Sequence, residues 1–145
     1  MTHSESEMER YLRVAKYFFQ MVVRPQTVNI DGAHLEVDYK NWSPYMVRQF
    51  LAGRYEKGER NTLQDILSPG DRVLEIGAGV GLIAILSSRI VGAENVAVYE
   101  ANPALIPIIE SNFRRNKTDA ISLHNAAVVG STFQGDTIEF NVHEN

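Results

Sequence analysis

Val73-Leu74-Glu75-Ile76-Gly77-Ala78-Gly79-Val80-Gly81 decides how this chain is read. A short apolar run with one carboxylate leads into three alternate glycines, and an almost wholly apolar stretch follows to Ile90. The pattern predicts a strand from Arg72 to Ile76, a tight loop, and a buried helix over Val80–Ile90 that Gly92 ends. Glycines in such a loop let the backbone bend sharply and let a ligand approach without a Cβ in the way. A dinucleotide fingerprint spaces its glycines Gly-x-Gly-x-x-Gly. Here Leu82 holds the third position and the glycine falls one residue early, at Gly81. That disfavours a nicotinamide-dinucleotide oxidoreductase and suits a nucleoside or amino-acid group better than a pyrophosphate. No Gly-Lys-Ser/Thr follows, which excludes a phosphate-binding Walker loop.

Downstream, Val96–Tyr99 reads as a second buried strand and Pro103–Arg115 as an amphipathic helix through Leu105, Ile108, Ile109 and Phe113. Pro107 falls inside that helix and predicts an irregular first turn. Ile121–Val129 is a third strand candidate. Thr137–Val142 alternates and reads as a fourth, paired by a hairpin across Gly130–Asp136. The βαβα alternation predicts an α/β fold with a parallel sheet and helices on both faces. Glu100 closes the second strand about 20 residues beyond the first glycine, where an acidic side chain accepts hydrogen bonds from a ribose diol. Both features lie at the carboxyl edge of the sheet, where open α/β sheets bind ligands.

Upstream, residues 4–23 read as a helix. Ser4 and Glu7 fit a capping box, and Met8, Tyr11, Leu12, Ala15, Phe18, Phe19 and Val22 follow helical spacing opposite Glu9, Arg10, Arg13 and Lys16. Such a helix packs on its own domain or a sister subunit, or else serves a membrane surface or a partner helix. Pro25 closes it. Val28–Ile30 and His34–Val37 flank Asp31-Gly32, a tight hairpin turn. Ser43-Pro44 is an N-cap followed by a first helical residue, with Gly53 as the stop after Ala52. Leu63, Ile66 and Leu67 suggest a further helix, ended by the turn Ser68–Asp71. Three segments result: the N-terminal helix (1–25), a lead-in of hairpin and helices (26–71), and the half that carries the glycine loop (72–145).

The 145 residues suffice for one domain with a real core. A net charge of −4 lacks the basic footprint of a general nucleic-acid binder. With no cysteine there is no disulfide framework and no thiolate metal site. His34, His124 and His143 are not clustered at ligand spacing, so no metal is expected. The polar, acidic start does not read as a signal peptide, and no apolar run reaches membrane-spanning length. The expectation is a cytoplasmic protein without a membrane segment.

Gly77-Ala78-Gly79-Val80-Gly81 preceded by Glu75, with Glu100 in Val98-Tyr99-Glu100-Ala101-Asn102-Pro103, resembles the class I S-adenosylmethionine-dependent methyltransferases. The likeness narrows to the FkbM-type enzymes. Their lead-in resembles Gly53-Arg54-Tyr55-Glu56 through Pro69-Gly70-Asp71. Their second strand and following helix resemble Tyr99–Pro103 with Asn112 and Asn116, and their third strand resembles Leu123–Val128. The resemblance spans about residues 26–142 and implies a Rossmann-like fold with S-adenosylmethionine as cofactor and S-adenosylhomocysteine as product. It implies that Gly77, Ala78, Gly79 and Gly81 line the methionine moiety and ribose, that Glu75 positions the amino-acid end, and that Glu100 binds the ribose hydroxyls. Ala101 and Asn102 then flank ribose and adenine, Asn125 and Ala126 contact adenine, and Tyr55 and Glu56 close over cofactor or substrate.

Each residue also has a plainer reading. The glycines serve a tight turn alone, Glu100 is a solvated strand end, Glu75 pairs with Arg72, Asn125 merely ends a strand, and Tyr55 and Glu56 are ordinary surface.

The family continues with a strand bearing an Asp-x-Glu-Gly-like segment, which nothing here matches. Each further βαβ step takes roughly 30 residues, so residues 72–145 accommodate the first half of that fold, an incomplete version of it. The implied reaction is methyl transfer to a hydroxyl oxygen of a small molecule or sugar, with no catalytic base assignable. The alternative is a non-catalytic interaction module that retains the fold. Either way a half sheet with an exposed edge predicts a homo-oligomer.

Overall fold

The computed structural model describes residues 7–135 and 137–139. The first helix, α1, spans Glu7–Val23; Ser4, its expected cap, lies outside the described residues. Tyr11, Leu12, Phe19 and Val22 are exposed on α1, while Val14, Phe19 and Val23 overhang a cavity of about 600 Å³ against the lead-in.

The hairpin forms as the alternation predicts, with β1 at Thr27–Ile30 antiparallel to β2 at Ala33–Glu36. Asp31 and Gly32 both take positive φ, +48° and +83°, which matches the twist of a two-residue turn. Val28, Ile30, Ala33 and Leu35 point inward. Helix α2, Pro44–Leu51, starts on Ser43, whose Oγ accepts the Met46 N–H at 3.2 Å. Helix α3 covers Lys57–Ile66.

The main sheet holds β3 (Val73–Ile76), β4 (Val96–Glu100) and β5 (Ser122–Asn125) in the order β3-β4-β5, all parallel. Helix α4, Leu82–Val91, joins the first pair. A 3₁₀ turn at Pro103–Leu105 and then α5, Ile106–Asn116, join the second. The irregular turn lies where Pro107 predicts it.

Three expectations change. Among the described residues, helices cover the sheet on one face only: Leu74 and Ile76 remain 61% and 59% exposed. Right-handed crossovers that keep moving in one direction along a sheet place their helices on the same side, and a second layer starts only where strand order reverses. The third strand is shorter than Ile121–Val129. Glu100↔Asn125 is the last register pair, so beyond it β4 offers no backbone to extend the ladder. Thr137–Glu139 are exposed and not in a strand, and 140–142 lie outside the described residues. In place of the expected hairpin, Phe133 N–H closes a turn on the Gly130 carbonyl at 3.0 Å.

One core runs from the lead-in into the sheet. Val28, Leu35, Val47 and Phe50 share it with Val80, Leu82, Ile85, Val98, Ile109 and Phe113. Two asparagines on the inner stripe of α5 fasten the hairpin. Asn112, fully buried, accepts the Glu36 N–H and donates to the Val80 carbonyl, both at 2.9 Å. Asn116 accepts the His34 N–H at 2.9 Å and donates to the His34 carbonyl at 2.7 Å, pairing with β2 as a strand edge would.

Candidate functional site

The carboxyl ends of β3, β4 and β5 meet at one edge, and the glycine loop rises from the first of them. Gly77 extends the ladder by donating to the Tyr99 carbonyl at 2.8 Å. Two glycines in the loop are required by packing. At Gly81 (φ +82°) a Cβ would lie 2.7 Å from the Phe113 ring, so this residue sets how closely α4 and α5 approach. At Gly79 (φ +56°) a Cβ would collide with the Tyr55 hydroxyl, which rests directly on the loop. Above Gly77 the space is open.

Tyr55 and Glu56 therefore lie over the glycines. The Tyr55 ring packs on Phe50 with centroids 4.3 Å apart. Its hydroxyl hydrogen-bonds the Glu56 carboxylate. Glu75 approaches from the strand below.

Glu56 and Glu75 each keep one carboxylate oxygen, Oε2, buried with no hydrogen-bond partner among the described residues. Burial pushes Glu75 up to about 8; the Glu56 and Glu100 charges push the same way, and the Ala84 N–H at the start of α4 opposes them. Burial likewise pushes Glu56 up to about 7; Glu59 adds to it, while the Tyr55 hydrogen bond and Arg60 oppose it. Burial beside these carboxylates drives Tyr55 far above the ordinary phenol range. Ionising either buried carboxyl costs free energy, and a cation or a set of donors would relieve that cost.

Glu100 is only 5% exposed and is no solvated strand end. Its Oε2 accepts the Gly79 N–H at 3.3 Å and its Oε1 the Asn102 N–H at 2.7 Å, so the loop amides fix the carboxylate. Asn102 brings only its backbone to Glu100, because its side chain caps the 3₁₀ turn through the Ala104 N–H at 3.0 Å. Asn125 donates to the Glu100 carbonyl at 2.8 Å and serves as a clamp between β4 and β5. Ala101, Asn125 and Ala126 nevertheless line one wall of a cleft of about 600 Å³, opposite Phe133 and Ile138.

Glu75, Gly77, Ala78, Gly79, Gly81, Tyr55, Glu56 and Glu100 thus come together, and Ala101, Asn125 and Ala126 form the adjoining cleft. Sequence reasoning missed Arg60, which is 8% exposed and bonded to the carbonyls of Tyr55 and Gly53. An arginine inside a polar helix carries no signal of burial. The buried clamp at Asn112 was signalled by an asparagine on the apolar stripe of Ile109 and Phe113. Among the described residues no three His, Cys, Asp or Glu side chains converge to hold a metal, and no helix is long and apolar enough to cross a membrane.

The glycine loop, the strand-end acid and the parallel βαβαβ frame define the class I S-adenosylmethionine-dependent methyltransferases. Residues 39–134 match the model of the protein-L-isoaspartate(D-aspartate) O-methyltransferase (PCMT) family, and the chain belongs to that family. The ribosomal protein L11 methyltransferase of Bacillus cereus (strain B4264) is 36% identical over 59 residues, 41% of this chain and 19% of that protein. Among solved structures, a transferase of Pyrococcus horikoshii superposes with a TM-score of 0.54 at 18% identity, covering 83% of this chain and 50% of that one. TYW2 of P. horikoshii in complex with MeSAdo gives a TM-score of 0.54 at 18% identity over 85% of this chain and 50% of that one. These likenesses establish the Rossmann-like fold. The matched segment spans about a fifth of the curated relatives and half of the solved structures. The family model that matches is not that of the FkbM-type enzymes.

Proposed function

We propose that this chain binds S-adenosylmethionine at the Glu56–Glu75–Glu100 edge and serves methyl transfer to an oxygen acceptor. The observation that carries the reading is the pair of orphaned, buried carboxylate oxygens on Glu56 and Glu75 beside the glycine loop. They fit an ammonium group, the one strongly cationic donor at the amino-acid end of the cofactor. In this reading Glu75, helped by Glu56, holds the ammonium, and the Gly77–Gly81 backbone lines the methionine and ribose. Glu100 accepts the ribose hydroxyls, and the Ala101–Asn125–Ala126 cleft takes the adenine. The cofactor supplies a methyl group on a positive sulfur. The chain's own contribution is orientation and exclusion of water, with Tyr55 covering the loop.

An oxygen acceptor is common to both finer readings. The FkbM-type resemblance points to a hydroxyl of a small molecule or sugar, and the name of the matched family supports a carboxyl. Transfer of labelled methyl from the cofactor separates them, since methyl esters are lost in mild base and methyl ethers are not. Calorimetry with S-adenosylhomocysteine tests the site itself. Binding is expected, with Glu100→Ala weakening it; unchanged binding in that variant would remove the ribose assignment. A small-molecule acceptor belongs to the FkbM-type reading; an acceptor other than nucleic acid and a cytoplasmic setting are parts of the proposal.

A second reading, the non-catalytic interaction module, is favoured by the open sheet face with Leu74 and Ile76. The same face and the free edge of β3 support self-association of two copies. A monomer by light scattering at micromolar concentration would count against the oligomer. Failure of any adenosyl compound to bind would favour the module.

A further inference from the structure

We propose that Arg60 is a positioning residue for the cofactor, fixing Tyr55 and Glu56 over the glycine loop, and that Asp31 on the hairpin turn fixes Arg60 in its place. The inference rests on the cofactor reading above and adds the element that holds the cover shut.

Arg60 projects from α3 into the protein, and each part of its guanidinium has a task. Nε donates to the Tyr55 carbonyl at 2.9 Å, and Nη2 donates to the Gly53 carbonyl at 2.8 Å. Nη1 pairs with Asp31. One planar fork therefore grips both ends of the segment that carries Tyr55 and ties it to the β1–β2 turn. A lysine, with a single point of charge, cannot reach three acceptors in a plane at once.

The segment needs such a grip. Gly53 and Glu56 both sit at positive φ, +64° and +48°, and the second of these is a conformation that residues with a side chain rarely adopt. Glu56 has no side-chain bond capping the helix it begins, because its carboxylate is turned toward the loop instead. Without the guanidinium, nothing else among the described hydrogen bonds would hold the Tyr55 carbonyl.

The arrangement also links charge to geometry. The groups acting on Glu56 are Tyr55, Glu59 and Arg60 from its own segment and helix, and Glu75 from β3, with Glu100 acting on Glu75 from β4. Arg60 is the one cation in this set, and its field favours the ionised form of Glu56 that an ammonium would meet. Removing it should loosen the cover and also raise the pH at which the site becomes fully charged. A purely structural arginine would not do the second.

The test is calorimetric titration of the full chain with S-adenosylhomocysteine as a function of pH. Arg60→Gln is expected to weaken binding by about tenfold or more and to move the pH midpoint upward. Glu56→Gln added to Arg60→Gln should cost little further, because the arginine acts through that residue. Should Arg60→Gln not fold, Asp31→Asn carries the test. Asparagine tolerates the left-handed turn, and weakening of about twofold to fivefold is expected with the melting temperature nearly unchanged. Wild-type binding combined with unchanged affinity and midpoint in the folded variants, or with fully additive losses in the double variant, overturns this proposal alone. No binding to the wild-type chain overturns the cofactor reading and this proposal with it.

Discussion

Lowering the pH should empty the site of ligands that carry an ammonium and leave the rest of the nucleoside binding untouched. In the free protein Glu75 is pushed up to about 8 and Glu56 up to about 7, each chiefly by burial. A carboxyl at about 8 is roughly 1% ionised near pH 6 and roughly 25% near pH 7.5, a change of about 25-fold. One at about 7 goes from roughly 10% to roughly 75%, about eightfold. The ammonium binds the ionised form, so the association constant of S-adenosylhomocysteine should rise by about 8- to 25-fold across that interval if one proton leaves. If both leave, the ceiling is about 200-fold. The assay is isothermal titration in two buffers of different ionisation heat, which counts the protons released. 5′-Methylthioadenosine, which has the same nucleoside and no amino acid, is the control and should bind with little pH dependence. Flat binding of S-adenosylhomocysteine, or equal pH dependence for the two ligands, would refute the assignment of Glu56 and Glu75 to the ammonium.

The same burial sets the stability of the free protein. Glu75 binds its proton more tightly folded than unfolded, so stability falls as pH rises from its ordinary 4.5 to about 8. Glu75→Gln should therefore raise the melting point of the unliganded chain near pH 8, by about 2 kcal/mol in stability, while abolishing binding of S-adenosylhomocysteine. Gly81→Ala combines a φ of +82° with a Cβ 2.7 Å from Phe113 and should cost about 2–3 kcal/mol in urea denaturation. Asn112→Leu leaves the Glu36 N–H and the Val80 carbonyl without partners and should cost about 2–4 kcal/mol by the same measurement.

Local signals carried most of the fold. Asp31-Gly32, Ser43-Pro44 and the glycine loop each act through a few neighbouring bonds, and each forms where the residues predict. Pro107 falls in the first turn of α5, where a missing N–H costs little, and the irregular 3₁₀ turn lies just before it. The failures have a different origin. A strand exists only if another backbone lies beside it, so the alternation at Thr137–Val142 described a surface suited to pairing without supplying a partner. Coverage of the sheet follows from the hand and direction of the crossovers, which alternation of elements does not encode. For the candidate site, residue type and chain spacing sufficed to bring Glu75, the glycines and Glu100 to one sheet edge. Arg60 escaped because two of its partners are backbone carbonyls, which leave no trace in a sequence, and the third, Asp31, sits on a distant hairpin turn.

These facts bear on where the site's energy comes from. The glycine loop and Glu100 belong to the parallel sheet, and alone they would form an open, hydrated edge. The cover of Tyr55 and Glu56 makes Glu75 a buried carboxyl, and that cover comes from the lead-in, seated by Phe50 and gripped by Arg60. Burial raises the cost of each ionised carboxylate and, by the same low polarity, strengthens its attraction for an ammonium. On the proposed cofactor reading, the core that the lead-in shares with the sheet would serve function as well as structure. On the proposed reading, the hairpin, α2 and α3 would convert an open strand end into a site where two buried carboxyls resist ionisation until a cation is bound. A change far from the glycines, at Asp31 or Phe50, should therefore be read at the ligand as much as in the fold.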